Sequence, residues 1–296
     1  MPGPKALLEE NWRYGEGPRV NQPADYISFL KTEARFKNCG LDNLPKHAII
    51  LHDAEAREHI VRLGYAVEDF RFIATGTTDP NIMWLIFAKG NEPAFILNRG
   101  LPGAGGIATQ AAELAALGIQ NIVHIGTCGL VGARVKTGDI VISRGSFKDA
   151  GATMLSSGRT SHIDPLAHPD HDLTKAIESQ LTSSQLAHSS ATGYTIPIFY
   201  FQPARLIREL ITGEAFPNGP QIDYFEMEQA AFFQTSLLMK IRAASMVVGA
   251  DRYSLTNEGL GHVFEDDVDQ DHAKLNMIRA ALKVFRAIDE ENIQTA

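Results

Sequence analysis

The segment "AFILNRGLPGAGGIATQAAELAALGIQNIVHIGTCG" constrains the fold more than any other. It places a β-branched run, a glycine-rich loop, an Ala/Leu helix stopping at Gly118, and a second β-branched run in succession. Strand, loop, helix and strand in that order form a βαβ unit, which predicts parallel pairing with a crossover helix on one face of a sheet. The remaining runs fit around it. "HAIILHD" is a strand followed by the helical "AEAREHIVRLG", and "IMWLIFAKGNEPAFILN" reads as two strands turning at "KGNEP". "GDIVISRGSFKD", "HSSATGYTIPIFYF" and "RAASMVVGADRY" are strand-like, the last ending at Asp251. "LTKAIESQLTSS", "FEMEQAAFFQTSLLMKI" and "DQDHAKLNMIRAALKVFRAID" are helical. The expected fold is α/β: one mixed, twisted sheet with helices on both faces. Residues 1–40 read as a polar N-terminal extension and 41–296 as the domain.

Several function classes are disfavoured. The net charge of −8 opposes nonspecific binding to nucleic acid or an anionic membrane. No apolar run approaches bilayer length, and the N-terminus carries no secretory h-region. Cys39 and Cys128 stand far apart with no zinc-type spacing, so a reduced, cytoplasmic protein is expected. The loop "HIDPLAHPDHD" gathers His162, His168, His171, Asp164, Asp170 and Asp172, but its two prolines and irregular spacing describe a surface loop, and no metal is expected there.

Gly103, Gly105 and Ala108 satisfy the form G-x-G-x-x-A after a strand and before a helix. The acidic residue that a dinucleotide site needs on the second strand is absent, since that strand ends "HIGTCG". A tight turn, or a loop facing an anion or sugar, explains the glycines as well. Thr127 stands at the carboxyl end of that strand, the edge where open α/β sheets bind ligands. "FYFQPAR" sets Phe199 to stack on a planar base and Gln202 and Arg205 to bond its edges. "GADRY" puts Asp251 and Arg252 at another strand end. "DYFEMEQAAFF" sets Glu226 and Glu228 about Met227 at the mouth of an apolar helix. An unpaired buried carboxylate is costly there, so the pair either has partners or faces a cavity.

In their order and spacing, "HIGTCGLVGARVKTGDIVIS", "DPLAHPDHDLTKAI", "FYFQPAR", "FEMEQAA" and "VVGADRY" resemble the nucleoside phosphorylase/uridine phosphorylase superfamily. The resemblance runs from about Asn121 to the end and is fainter from His47 to Gly118. It implies a nucleoside phosphorylase, of the uridine or pyrimidine type on the strength of "FYFQPAR". Such an enzyme releases free base and ribose 1-phosphate, with phosphate as co-substrate and no cofactor. Glu228, Met227 and Glu226 would line the ribose pocket, Glu228 gripping the 2′- and 3′-hydroxyls with both oxygens and favouring the cationic sugar as the bond breaks. Thr127 matches the phosphate-contacting threonine. Asp251 stands where purine enzymes protonate the base, and Arg252 and Arg205 stand where uridine enzymes stabilise a pyrimidine carbonyl. Arg71 lies near the arginine that the family lends to a neighbouring subunit, which implies a homo-oligomer, a dimer or hexamer, with shared sites.

Two departures bear on the reaction. The loop that reads Gly-Asp-Pro and then arginine in the family is "HDAEAR" here, with His52 for the glycine and Arg57 out of register. The arginine three residues before the phosphate threonine is His124. Neutral histidine offers one donor and no charge, against the fixed charge and five donors of arginine. Arg99 or Arg57 would have to compensate, or water replaces phosphate and the protein is a nucleoside or nucleotide hydrolase. A catalytically silent nucleoside-binding protein is the third reading, and an NAD-dependent enzyme a distant fourth.

Overall fold

The computed structural model describes residues 22–32, 44–69, 83–148, 165–200, 202–216 and 219–295. Strand β1 (His47–Leu51) shows why the sheet is covered on both sides. Ile49 and Leu51 enter one apolar cluster, Ala48 and Ile50 enter another, and all four are fully buried. A strand apolar on both faces needs a layer over each. The first face carries α2 (Ala56–Arg62), α4 (His171–Ser183) and α7 (Gln270–Thr295), through residues such as Ile60, Ile177 and Phe285. The second carries α3 (Gly103–Ala116) and α6 (Gln229–Met239), through Ile107, Leu114 and Phe232. It also receives α1 (Pro23–Thr32), whose Ile27 is buried in that cluster, so part of the polar N-terminal stretch is helical and packed.

The remaining strands are β2 (Val67–Asp69), β3 (Met83–Ile86), β4 (Phe95–Arg99), β5 (Asn121–Val131), β6 (Ile140–Phe147), β7 (Leu166–Ala167), β8 (His188–Thr195), β9 (Tyr224–Glu226), β10 (Arg242–Thr256) and β11 (Gly259–Phe264). Helix α5 (Ala204–Thr212) precedes β9. The sheet runs β11-β10-β6-β8-β9-β5-β1-β4-β3-β2, with β7 on β6. Because β10 also pairs with β5, the strands β10, β6, β8, β9 and β5 close into a ring, and β1, β4, β3 and β2 extend from it. The β4–α3–β5 unit is parallel as expected, but its strands are not neighbours. β1 lies between them, paired in parallel with both.

Three expectations about extent need correction. The last strand of the ring does not stop at Asp251: β10 continues to Thr256, and a turn at Asn257 and Glu258 returns the chain as antiparallel β11. "FEMEQAA" is not helical from its start. Tyr224 to Glu226 pair with β5 and β8, and helix α6 begins at Gln229. "HSSATGYTIPIFYF" is strand only as far as Thr195.

In the polar histidine loop, Asp170 caps α4, accepting from the Leu173 N–H at 2.8 Å. His162 and Asp164 lie outside the described residues. Among the described residues, neither side-chain group able to gather a metal ion includes this loop.

Candidate active site

The carboxyl ends of β1, β5 and β10 point the same way, since all three strands are parallel. They open on a cavity of about 310 Å³ walled by Thr127, Met227, Glu228, Asp251, Phe199 and Phe264, among others. The volume and mixed lining suit a nucleoside-sized ligand. Two local devices shape the wall. The register of β10 on β5 shifts between Gly249 and Asp251, a bulge that re-aims the residues after it. Gly129 of β5 then leaves room for Asp251: a Cβ at 129 would meet Asp251 Oδ1 at 3.0 Å and the Tyr253 ring at 3.2 Å.

The two glutamates at the mouth of α6 have different surroundings. Glu226 is buried and saturated with donors. Oε1 accepts from the hydroxyls of Ser146 at 2.8 Å and Thr195, and Oε2 from the N–H groups of Glu228 at 2.6 Å and Gln229 at 2.5 Å. Burial and then the adjacent Glu228 charge raise its pKa to about 7, against those four bonds. Glu228 occupies the N-cap position of α6 with its side chain on the cavity wall. Its Oε1 accepts from Gly103 N–H at 2.7 Å and its Oε2 from Met227 N–H at 3.1 Å, which leaves lone pairs on both oxygens. The glycine-rich turn thus serves the carboxylate, with Gly103 at φ +80° directing its N–H there.

Asp251 is almost wholly buried, and burial raises its pKa. His262 Nε2 lies 2.6 Å from its Oδ2, and the Tyr253 hydroxyl also bonds to it. The His262 ring stacks on Tyr253 at 4.5 Å between centroids.

Of the residues expected to read the base, only Phe199 lines the cavity. Arg252 is adjacent to Asp251 in sequence but on the opposite side of the strand. Its guanidinium pairs with Glu265 at 2.6 Å and donates to Gly132 O, Val135 O and Thr137, tying β10 to the loop after β5. Arg205 is exposed and paired with Glu209 one helical turn on, and Gln202 bonds back to Ile198 O. These three belong to structural contacts, because strand alternation and the start of α5 turn them outward.

Beside Glu228, His52 and His124 touch: His52 Nδ1 lies 2.9 Å from His124 Nε2. His52 Nε2 lies 3.0 Å from Leu101 O, a pure acceptor, so that nitrogen carries a proton. In the neutral ring His52 Nδ1 then accepts from His124 Nε2–H, and His124 Nδ1 accepts from Ser245 Oγ–H at 2.8 Å. Ser245 in turn accepts from Gln229 Nε2 at 2.9 Å, and Gln229 Oε1 accepts from the hydroxyls of Ser143 and Tyr224. With that tautomer every proton in the chain points one way. Burial, and secondarily the neighbouring His52, push the His124 pKa well below its ordinary value.

Neither Arg57 nor Arg99 reaches the cavity, Arg71 lies outside the described residues, and no lysine or arginine occurs among the described residues lining it. His262 and Phe264 escaped the sequence reading because they arrive on β11, for which the turn signal "TNEG" between two short runs was the available cue. The buried relay through Ser245 and Gln229 had no sequence signal.

Known proteins place this geometry. The chain is 23% identical over 192 residues to uridine phosphorylase of Haemophilus influenzae, covering 59% of this chain and 71% of that protein. It is 30% identical over 132 residues to the DeoD-type purine nucleoside phosphorylase of Hahella chejuensis, covering 44% and 52% respectively. In structure it resembles a Bacteroides thetaiotaomicron protein described as an AMP nucleosidase, with a TM-score of 0.65 at 13% identity over 91% of this chain and 100% of that one. No helix among the described residues is long and apolar enough to cross a membrane. Residues 46–288, nearly the whole span from β1 into α7, match the Phosphorylase superfamily, and the chain belongs to that family.

Proposed function

We propose that the cavity cleaves the N-glycosidic bond of a purine nucleoside, with water as the attacking group. The reading rests on Asp251, a carboxyl group buried in the cavity wall and backed by His262, while Arg252, Arg205 and Gln202 are all engaged elsewhere. A carboxyl whose pKa burial raises suits donation to a ring nitrogen of a departing purine. Glu228 and Met227 flank the sugar. The carboxylate accepts from the vicinal hydroxyls and stabilises the positive charge that develops at the anomeric carbon. Water then adds at that carbon and its proton restores the Asp251 carboxyl, giving free ribose and free base.

Water is preferred to phosphate because the described cavity wall carries no fixed positive charge. His52 and His124 are hydrogen-bonded to one another. The structural relative named as a nucleosidase supports hydrolysis on this fold. Phosphorolysis is the second reading, favoured by half-buried Thr127 at the strand end and by the names of the sequence relatives.

The test is a panel of adenosine, inosine, guanosine and uridine, with and without phosphate, reading base and sugar products. Purine cleavage to ribose without phosphate is the expected outcome. Strict phosphate dependence with ribose 1-phosphate as product selects the second reading, and a preference for uridine overturns the purine assignment.

A further inference from the structure

The geometry points to a binding site for a divalent transition metal of the zinc class, formed by His52, His124 and Glu228 on the cavity floor. One ligand atom from each lies within 4.8 Å of the others. The three come from the loop after β1, from β5, and from the β9–α6 junction, so the fold rather than local sequence brings them together. Two imidazoles and one carboxylate make a borderline-soft N2O set suited to zinc and poorly suited to magnesium or calcium, which take mainly oxygen. Three protein ligands beside an open cavity leave a fourth position for water or an anionic oxygen.

The surroundings of the ligands argue for the same role. A metal-bound histidine nearly always donates its other ring N–H to a carbonyl or similar acceptor, which fixes ring and tautomer. His52 presents Nε2–H to Leu101 O, with its Nδ1 directed at His124. His124 presents Nδ1 to Ser245 Oγ, with its Nε2 directed at His52. Glu228 Oε1 is held by the Gly103 N–H and lies 4.0 Å from His52 Nε2. The ion takes the place of the one proton lying between the two rings. That proton moves within His124 from Nε2 to Nδ1, and the Ser245 hydroxyl rotates from donor to acceptor while still accepting from Gln229. No net proton leaves the imidazole pair.

The other candidate cluster, Asp53, His59 and Asp271, differs decisively. The Lys274 ammonium already sits on Asp53 Oδ2, and Arg62 on Asp271, so protein cations fill it.

The inference is independent of the proposed reaction, because it is read by metal binding without nucleoside. The full-length protein is treated with chelator, then titrated with Co²⁺ alone and followed by visible d–d absorption and by bound-metal analysis after gel filtration. One equivalent with the spectrum of a low-coordinate nitrogen/oxygen site is expected. His52→Ala and Glu228→Gln should each abolish saturable binding, Ser245→Ala should weaken it about 10- to 100-fold, and Asp271→Asn should leave it unchanged. The His52 side chain is only partly buried, and the circular dichroism of its variant establishes that a loss is not unfolding. A wild-type protein that takes up no cobalt overturns the site. So does cobalt binding unaltered by His52→Ala and Glu228→Gln.

Discussion

Glu226 offers the sharpest quantitative test of the packing around the cavity. Its carboxyl is buried, and its pKa is raised from 4.5 to about 7, burial being the larger cause and Glu228 the next. The raised value means the folded chain holds this proton more tightly than the unfolded chain does. Stability from this group is therefore complete below pH 4.5 and is lost as pH rises through 7. At about 1.4 kcal/mol per unit of pKa, the loss between pH 5 and 8 is about 3 kcal/mol. Glu226→Gln removes the titration while keeping the shape. The amide oxygen accepts from the N–H groups of Glu228 and Gln229, and the amide nitrogen faces the hydroxyls of Ser146 and Thr195, which rotate to accept. Urea unfolding of wild type and variant at pH 5 and pH 8 isolates the residue, because other titrating groups cancel in the double difference. The variant should gain about 3 kcal/mol on wild type between the two pH values. A gap that stays constant with pH would refute the argument that this carboxyl is desolvated and repelled by Glu228. Glu226→Ala should behave differently, costing about 1–3 kcal/mol for each of the two backbone N–H groups left without an acceptor.

Asp251→Asn should lower kcat on purine nucleosides by about 100-fold or more with little change in Tm, since the amide cannot supply the proton; near-normal turnover removes the general-acid role. Arg252→Met should destabilise by roughly 3 kcal/mol, because Glu265 is left partly buried without its cation, and should leave the ranking of bases unchanged. A shift in base preference without loss of Tm would return Arg252 to the cavity. Gly129→Ala drives a methyl to 3.0 Å from Asp251 Oδ1 and 3.2 Å from Tyr253, costing about 1–3 kcal/mol by overpacking while reducing activity through Asp251. An active, undisturbed variant would show that Asp251 has more freedom than the packing allows.

Much of the fold was legible because it depends on local pattern. β-branched runs, glycine stops and the amphipathic last helix fixed most elements to within a few residues of their observed ends. What could not be read was what depends on closure. The parallel crossover at α3 was legible, but the insertion of β1 between β4 and β5 is set by which runs are apolar on both faces, and several qualify. The ring closes through the pairing of β10 on β5, two strands more than a hundred residues apart, and nothing in either strand marks the other.

The site divides along the same line. Residues placed by a strand end or a helix start, such as Thr127, Met227, Glu228 and Asp251, were legible as cavity-lining because the carboxyl edge of a parallel sheet is predictable from element order. Residues whose role depends on facing were not. Asp251 and Arg252 are adjacent in "GADRY" and look interchangeable, yet in a strand neighbours point to opposite faces, so only one can enter the cavity. The bulge between Gly249 and Asp251 decides which. It advances the alternation by one residue, turning a carboxylate inward and burying the guanidinium against Glu265, Gly132 O and Val135 O. A bulge is an irregularity of pairing and therefore a property of two strands at once. The clearest trace it leaves in one sequence is the pair of small residues, Gly249 and Ala250, beside it, and Gly129 across from it. The facing of Asp251 thus rests on Ala250 being left out of the pairing. Deleting Ala250 should straighten the strand yet keep Asp251 opposite Gly129 and Arg252 opposite Leu130, so the carboxyl stays on the cavity side; a deletion variant whose Arg252 replaces Asp251 in the cavity would refute this account of the facing.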